Sequence, residues 1–313
     1  MGHSLLPQHA TLQDIGNAGQ DWEVAVRQGN WAAAWRVSDA VLRARDPRTR
    51  DDPAQPYHKR WVWDGQPFAG QDVVVRCYHG LGDTLQFCRF LPLLRARVRS
   101  LTLEVQPELL GLLADLPGPD RLHPFDPARP LPSSCDLEIM ELAHALRVPP
   151  ETASYLSVLP WNGKDQTSCL DIGLCWAAGG WDPGRSLPLA MLTPLRALPG
   201  IRAVSLQRGP AAAEWPGGDA SMDVRHTAQI IAGLDLVVTV DTMVAHLAGA
   251  LGRPAYVLLQ HHADWRWADE DRSPWYPTLR LHRQDVQGNW HAPVARLLAD
   301  VAARLLPGNL VPP

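Results

Sequence analysis

The stretch LDLVVTVDTMVAHLAGALGRP, residues 234–254, decides how the chain folds. Leu234–Val240 is a short apolar, β-branched run, the pattern of a buried strand. Asp241 and Thr242 supply a polar helix start, Met243–Leu251 carries the helix, and Gly252 and Pro254 end it. Ala255–Leu259 reads as the next strand, so the stretch is one strand–helix–strand unit. In such units a ligand sits at the carboxyl end of the strand, where the first N–H groups of the helix are unpaired and partly positive. Thr242 and His246 are four residues apart and project from the same side of the first turn. The apolar arc of the helix is Met243, Val244, Leu247, Ala248 and Leu251, with His246 off it. Asp, Thr and His at a helix start suit an anion. An N-cap at Asp241 or Thr242 beside a satisfied surface histidine explains the same residues.

Upstream and downstream, strands and helices keep alternating. Gln71–Tyr78 reads as a strand, His79–Asp83 as a glycine turn and Thr84–Leu94 as a helix. Strands at Leu101–Val105 and Cys135–Ile139 and helices at Glu108–Leu116 and Glu141–Leu146 come next, with Pro117–Ser134, which holds six prolines, as a loop. The segment 149–166 is irregular and reads as the connection between two domains. A second alternating series then runs from Asp171 to a closing helix at Ala292–Leu306. Two such series predict an α/β protein with two doubly wound parallel-sheet domains facing a cleft. The predicted boundaries are a helical N-terminal segment over 1–55, a first domain over 56–165 and a second over 166–313. Within 14–45, two short helices carry GNWAAAWRVSDAVLRARDP, which resembles part of a tetratricopeptide repeat. A single partial repeat cannot form a solenoid, so it reads as a helical preface packed on the domain after it.

Composition narrows the function. A length of 313 residues suits about two domains, and 46% hydrophobic with 20% charged residues is an ordinary globular balance. A net charge of −4 offers no basic footprint for nucleic acid. Five cysteines without CxxC spacing argue against a disulfide framework and a structural zinc site. The N-terminus shows no signal-peptide pattern and no apolar run is long enough to span a membrane, so a cytoplasmic location is expected.

Three segments could carry chemistry. In HGLGDTLQF, Gly80 and Gly82 let the backbone approach a ligand, and Asp83 stands at a helix start as a general base or, with Gln86 three residues on, as a capping residue; Gly80, Gly82 and Gln86 are expected at the acceptor turn. In GGWDPGRS, Arg185 offers a guanidinium fork to a phosphate or lies solvated. The loop after the strand over 203–207 adds Gln207 and Arg208, and Gln207 is expected to touch the donor. In QHHADWRWADEDRSPWY, residues 260–276, the aromatic residues and Asp264, Trp265 and Trp267 line a sugar or base pocket or cover the sheet edge as packing. Asp269–Asp271 reads as an ion-pair cluster with Arg266 and Arg272 rather than a metal site. No serine-hydrolase or metalloprotease motif is present.

Taken together, HGLGDTLQFCRFLPLL, IGLCWAAG, GRSLPL, VSLQRG, TAQIIAGLDLVVTVDTMVAHLAGALGRP and DWRW…SPWYP…RLHRQ resemble glycosyltransferase family 9, the heptosyltransferase-like group, and especially its branch fused to tetratricopeptide repeats. The resemblance spans roughly residues 60–300 and keeps the order of every motif. It implies a GT-B fold, with the acceptor on the first domain and a nucleotide-diphosphate sugar, ADP-heptose by family default, on the second. It also implies inversion at the anomeric carbon with no essential metal and no further cofactor. By the same resemblance Asp83 is the base, Arg185 meets the donor phosphates, and Asp241, Thr242, Met243 and His246 match the D-[TS]-x-x-x-H element at the diphosphate and its sugar. Tyr78-His79 and the lack of lysine near Arg185 depart from the pattern. The acceptor is a glycan, protein or small-metabolite hydroxyl, and the N-terminal helices are the expected place for a protein contact. A non-catalytic GT-B scaffold is the alternative, and a nucleotide-sugar epimerase a weaker one.

Overall fold

The computed structural model describes residues 12–56, 60–150, 153–161 and 169–305. The boundary expected between residues 165 and 166, most of the later half of the expected 149–166 connection and residues 1–11 lie outside the described residues. The chain divides into two compact units, one of residues up to 110 with 114–150, the other of 111–113 with the residues from 151 onward.

The first unit opens with a helical hairpin, α1 (Leu12–Arg27) and α2 (Trp31–Ala44). Asn30 caps α2 by accepting from the Ala33 amide at 3.1 Å, and the Trp22 indole donates to Ser38 across the hairpin at 3.1 Å. The alternating elements up to residue 150 are then β1 (Asp72–Arg76), α3 (Leu81–Phe87), α4 (Leu91–Arg95), β2 (Ser100–Val105), α5 (Leu110–Leu113, of which 111–113 belong to the second unit), β3 (Arg121–Pro124), β4 (Asp136–Glu138) and α6 (Leu142–Leu146). All four strands are parallel in the order β3-β2-β1-β4, with Val75 opposite both Leu103 and Leu137. Strand β3 lies in the segment expected to be loop. It is an edge strand that ends at Pro124, where a missing N–H costs no ladder bond, so the prolines masked it. The hairpin is tied to α6 by Asp39, whose carboxylate meets His144 and Arg147, and by Arg45 against Glu141 at 2.7 Å. Burial pushes Glu141 up to about 7, against the pull of Arg45.

The second unit holds β5 (Leu170–Cys175), α7 (Thr193–Arg196), β6 (Ile201–Ser205), α8 (Val224–Gly233), β7 (Leu236–Val240), α9 (Met243–Ala250), β8 (Ala255–Leu259), β9 (Leu279–Arg283) and α10 (His291–Arg304). Its strands are all parallel in the order β6-β5-β7-β8-β9. Every residue of β7 and β8 is buried, as central parallel strands covered on both faces require. Leu297 and Val301 of α10 pack with Leu174, Val238 and Leu258 of three strands. Residues 189–198, whose LAMLTPLRAL pattern alone reads as one helix, form a 3₁₀ turn (Leu189–Leu192) followed by α7, with Pro194 in the first turn of α7. In each sheet the chain order reverses beside the first strand, and the strand carboxyl ends at that point are where a ligand crevice forms.

Gly173 lies mid-β5 between Val204 and Val237. A Cβ there would stand 2.5 Å from a methyl of buried Leu206 and of buried Leu234. Gly173→Ala is expected to destabilise the second unit by about 1–3 kcal/mol, read from the urea midpoint. An unchanged midpoint would show that this core can yield without cost.

Candidate functional site

In the first unit, the switch point is the turn after β1. Helix α3 begins at Leu81, three residues earlier than expected, so Gly82 is in its first turn and Gly80 is its N-cap. Neither glycine has a positive φ, which corrects the reading of His79–Asp83 as a glycine turn. A Cβ at Gly80 would lie 3.2 Å from Asp83 Oδ2, a tight contact to which the carboxylate would have to yield. That oxygen accepts from the Gly80 amide at 2.9 Å, so Asp83 does cap the helix while staying partly exposed. Gln86 is fully buried, which removes it from the ligand-facing turn where the sequence put it. The turn is held by Gln106, which donates to the His79 carbonyl at 2.8 Å and accepts from the Thr84 hydroxyl at 2.9 Å. The His79 imidazole Nε2 meets the carboxylate of Glu138, the last residue of β4. Sequence reasoning missed Glu138; its position at a strand's carboxyl end was the available signal.

In the second unit, the loops after β5 and β7 meet at the switch point. Arg185 Nη1 donates to the Asp241 carbonyl at 3.1 Å and lies 4.0 Å from its carboxylate. Its Nε reaches the Asp182 carbonyl at 3.4 Å, and Nη2 makes no hydrogen bond among the described residues. Asp182 fastens the loop, accepting from the Gly184 amide at 3.0 Å and from Gln260 Nε2 at 2.7 Å. Thr242 is the N-cap of α9, its hydroxyl accepting from the Val244 amide at 3.2 Å. Thr242 and Met243 are partly exposed at the helix mouth. Gln207, expected to touch the donor, is buried and spends its amide on backbone. Its Oε1 accepts from the Trp176 and Ala177 amides at 3.0 and 2.9 Å, and its Nε2 donates to the Ala177 and Arg208 carbonyls at 3.0 and 2.9 Å. It shapes the loop after β5.

His246 is buried, not displayed on the surface as the helical wheel placed it. The apolar arc took no account of the 260–276 segment, which covers the helix on that side. Trp267 lies against the imidazole at 5.2 Å between ring centroids and is fully buried, so it acts as packing. Tyr276 packs edge-on, its hydroxyl 3.1 Å from His246 Nδ1, and it also fills the space left by Gly249. Asp264 accepts from the Arg266 amide at 3.0 Å and its guanidinium at 2.8 Å, and Arg266 lies over partly exposed Trp265 at 4.5 Å. Burial pushes the Asp241 carboxyl up to about 6; Arg185 and Arg266 pull it down and Asp264 adds to the rise. The arrangement is a helix start and a guanidinium with one free edge, walled by aromatic residues, and it can hold an anion.

Among the described residues, no three His, Cys, Asp or Glu side chains converge to hold a metal ion, and no helix is long and apolar enough to cross a membrane.

A family model, Glycosyltransferase family 9 (heptosyltransferase), matches residues 220–285, the part of the chain that includes Asp241–His246. Protein FlbA of Caulobacter vibrioides is 28% identical over 152 residues, covering 42% of this chain; the chain covers 25% of that protein's length. Two solved structures share the fold. The ADP-heptose lps heptosyltransferase II of E. coli aligns with a TM-score of 0.53 at 13% identity, over 74% of this chain and 98% of that one. The glycosyl transferase family 9 protein of Veillonella parvula aligns with a TM-score of 0.53 at 13% identity, over 76% and 97%. The resemblance to family 9 is thereby borne out over residues 220–285, though not its extension to the branch fused to tetratricopeptide repeats, and the pair of parallel sheets it implied is present.

The loop after β5 depends on Gln207. Gln207→Ala is expected to cost about 1–3 kcal/mol, because it leaves two amides and two carbonyls to find other partners. Hydrogen exchange of the 176–178 amides should accelerate with it. Unchanged protection there would mean that the loop is held by other contacts.

Proposed function

We propose, from the match of residues 220–285 to glycosyltransferase family 9, that this chain transfers a sugar from a nucleotide-diphosphate donor to an acceptor hydroxyl. The observation that carries the reading is Arg185, held by the Asp241 carbonyl at the start of α9 with Nη2 open to an anion. An inverting displacement develops negative charge on the departing diphosphate, and a helix N-terminus with a fixed guanidinium stabilises that charge as it forms. These groups make a metal ion dispensable in this reading.

Asp83 takes the acceptor proton. The acceptor oxygen bonds to the anomeric carbon as the bond from that carbon to the diphosphate oxygen breaks, and the proton passes to the Asp83 carboxylate. The capping bond from the Gly80 amide fixes the carboxylate at the mouth of the turn, so the two roles of Asp83 support each other. Tyr276 orients His246 beneath the donor site by bonding Nδ1. The sugar is heptose-like by family default.

The test is a calorimetric titration with ADP, UDP, GDP and TDP in EDTA, followed by an assay of sugar release from ADP-heptose. Micromolar binding of at least one nucleotide, lost in Arg185→Ala, is expected. Asp83→Asn should retain that binding while turnover falls by about 10²–10⁴-fold. Full turnover in Asp83→Asn would remove it as the base, and no binding across the panel would favour a scaffold that does not handle nucleotide sugars.

A pH dependence arises from Asp241. Its carboxyl is protonated in the folded chain up to about 6, so below that pH an anion on Arg185 meets a neutral neighbour. As pH rises through about 6 the carboxylate charges and opposes the diphosphate. The affinity of the wild type relative to Asp241→Asn should therefore fall between about pH 5 and 7. A ratio constant with pH would contradict the placement of the anion beside Asp241.

A further inference from the structure

Trp181 is 81% exposed in the loop between β5 and α7, an uncommon setting for the largest apolar side chain. Its ring does not float free of the site. The Arg185 guanidinium carbon lies 5.2 Å from its centroid, so one face of the indole rests on the cation that faces the anion position. The exposure of the side chain leaves the other face to solvent. The loop is built unevenly around it. From Asp182 onward it is pinned by Gln260 and by the Asp241 carbonyl, whereas Gly179 and Gly180, just before Trp181, have nothing within 4 Å of where a Cβ would stand. A fixed cation thus stands beside an aromatic plate preceded by two uncrowded glycines.

We infer that Trp181 is the stacking platform for the base of the nucleotide, and so contributes to donor selection; this rests on the diphosphate reading of Arg185. A diphosphate on Arg185 carries its nucleoside on a short tether, and the indole lies one ring's width from that guanidinium. An indole accepts any base through its π face, with the larger purine overlapping most. A sugar can also stack on an indole through its C–H face, so the base is identified by the purine-over-pyrimidine difference that ADP and UDP read out. Arg185 supplies charge and Trp181 supplies area. The two contributions separate by ligand.

The test measures ADP, UDP and inorganic pyrophosphate binding by calorimetry on the wild type, Trp181→Ala, Trp181→Phe and Arg185→Ala. At 81% exposure the side chain can be removed without disturbing the fold. Trp181→Ala is expected to weaken ADP about tenfold and UDP less, with pyrophosphate unchanged. Trp181→Phe should keep most of the ADP affinity, and Arg185→Ala should weaken all three. Unchanged ADP binding in Trp181→Ala overturns the inference alone. An equal loss of ADP and pyrophosphate also overturns it, since Trp181 would then act only by steadying Arg185. A wild type that binds neither ADP nor pyrophosphate removes the diphosphate reading itself, and this inference with it.

Discussion

A hydrogen bond from Arg185 to the carbonyl of Asp241 joins the two loops at the point where the strand order of the second sheet reverses. Sheet pairing of β5 with β7 and the contact of Cys175 with Thr242 bring the roots of these loops together, and this bond fixes the guanidinium on the helix start. With it, a guanidinium is held at the helix mouth with part of its fork unused. The contacts around it serve the same end. Gln207 fastens the first residues of the loop, Asp182 and Gln260 fasten its middle, and Thr242 caps the helix it faces. An arginine on a free loop would lose conformational entropy on meeting a phosphate; here much of that ordering is complete before a ligand arrives.

The site also holds charge where burial disfavours it. Asp241 is nearly enclosed, with Asp264 close enough to push its carboxyl up and Arg185 and Arg266 opposing the rise. His246 is buried one turn further along α9 and relies on Tyr276 for its polar partner at Nδ1. Gly249 makes that contact sterically feasible, since a Cβ there would stand 2.3 Å from the tyrosine ring. The 260–276 segment is therefore a cover over α9, and its aromatic residues divide between packing and the partly exposed rim at Trp265.

Much of this architecture was legible in the sequence because parallel strands buried on both faces are written as continuous apolar runs, as in 236–240 and 255–259. Edge strand β3 was not, because its prolines carry a loop signature and its pairing is one-sided. Asp241, Thr242 and Arg185 were singled out by their positions at strand and helix ends, and the structure brings Arg185 and Asp241 together. His246 was assigned to the wrong surface because a helical wheel cannot see a segment that returns later in the chain to cover it. Gln207 and Gln86 were located in the right loops and helices, yet only the tertiary structure shows that one amide is spent on backbone and the other buried. The roles of Glu138 and Tyr276 escaped the sequence for a related reason, although their positions at a strand end and in the aromatic segment were signals: each meets a histidine distant in sequence, His79 and His246 respectively.

An anion site built on Arg185 and the start of α9 is tested most directly by hydrogen–deuterium exchange of the whole chain with and without inorganic pyrophosphate. Slowed exchange is expected at the amides of 242–244 and across 176–186, with no change in the strands of the first sheet. Protection confined to the first unit, or none at any pyrophosphate concentration that saturates a weak site, would contradict that site.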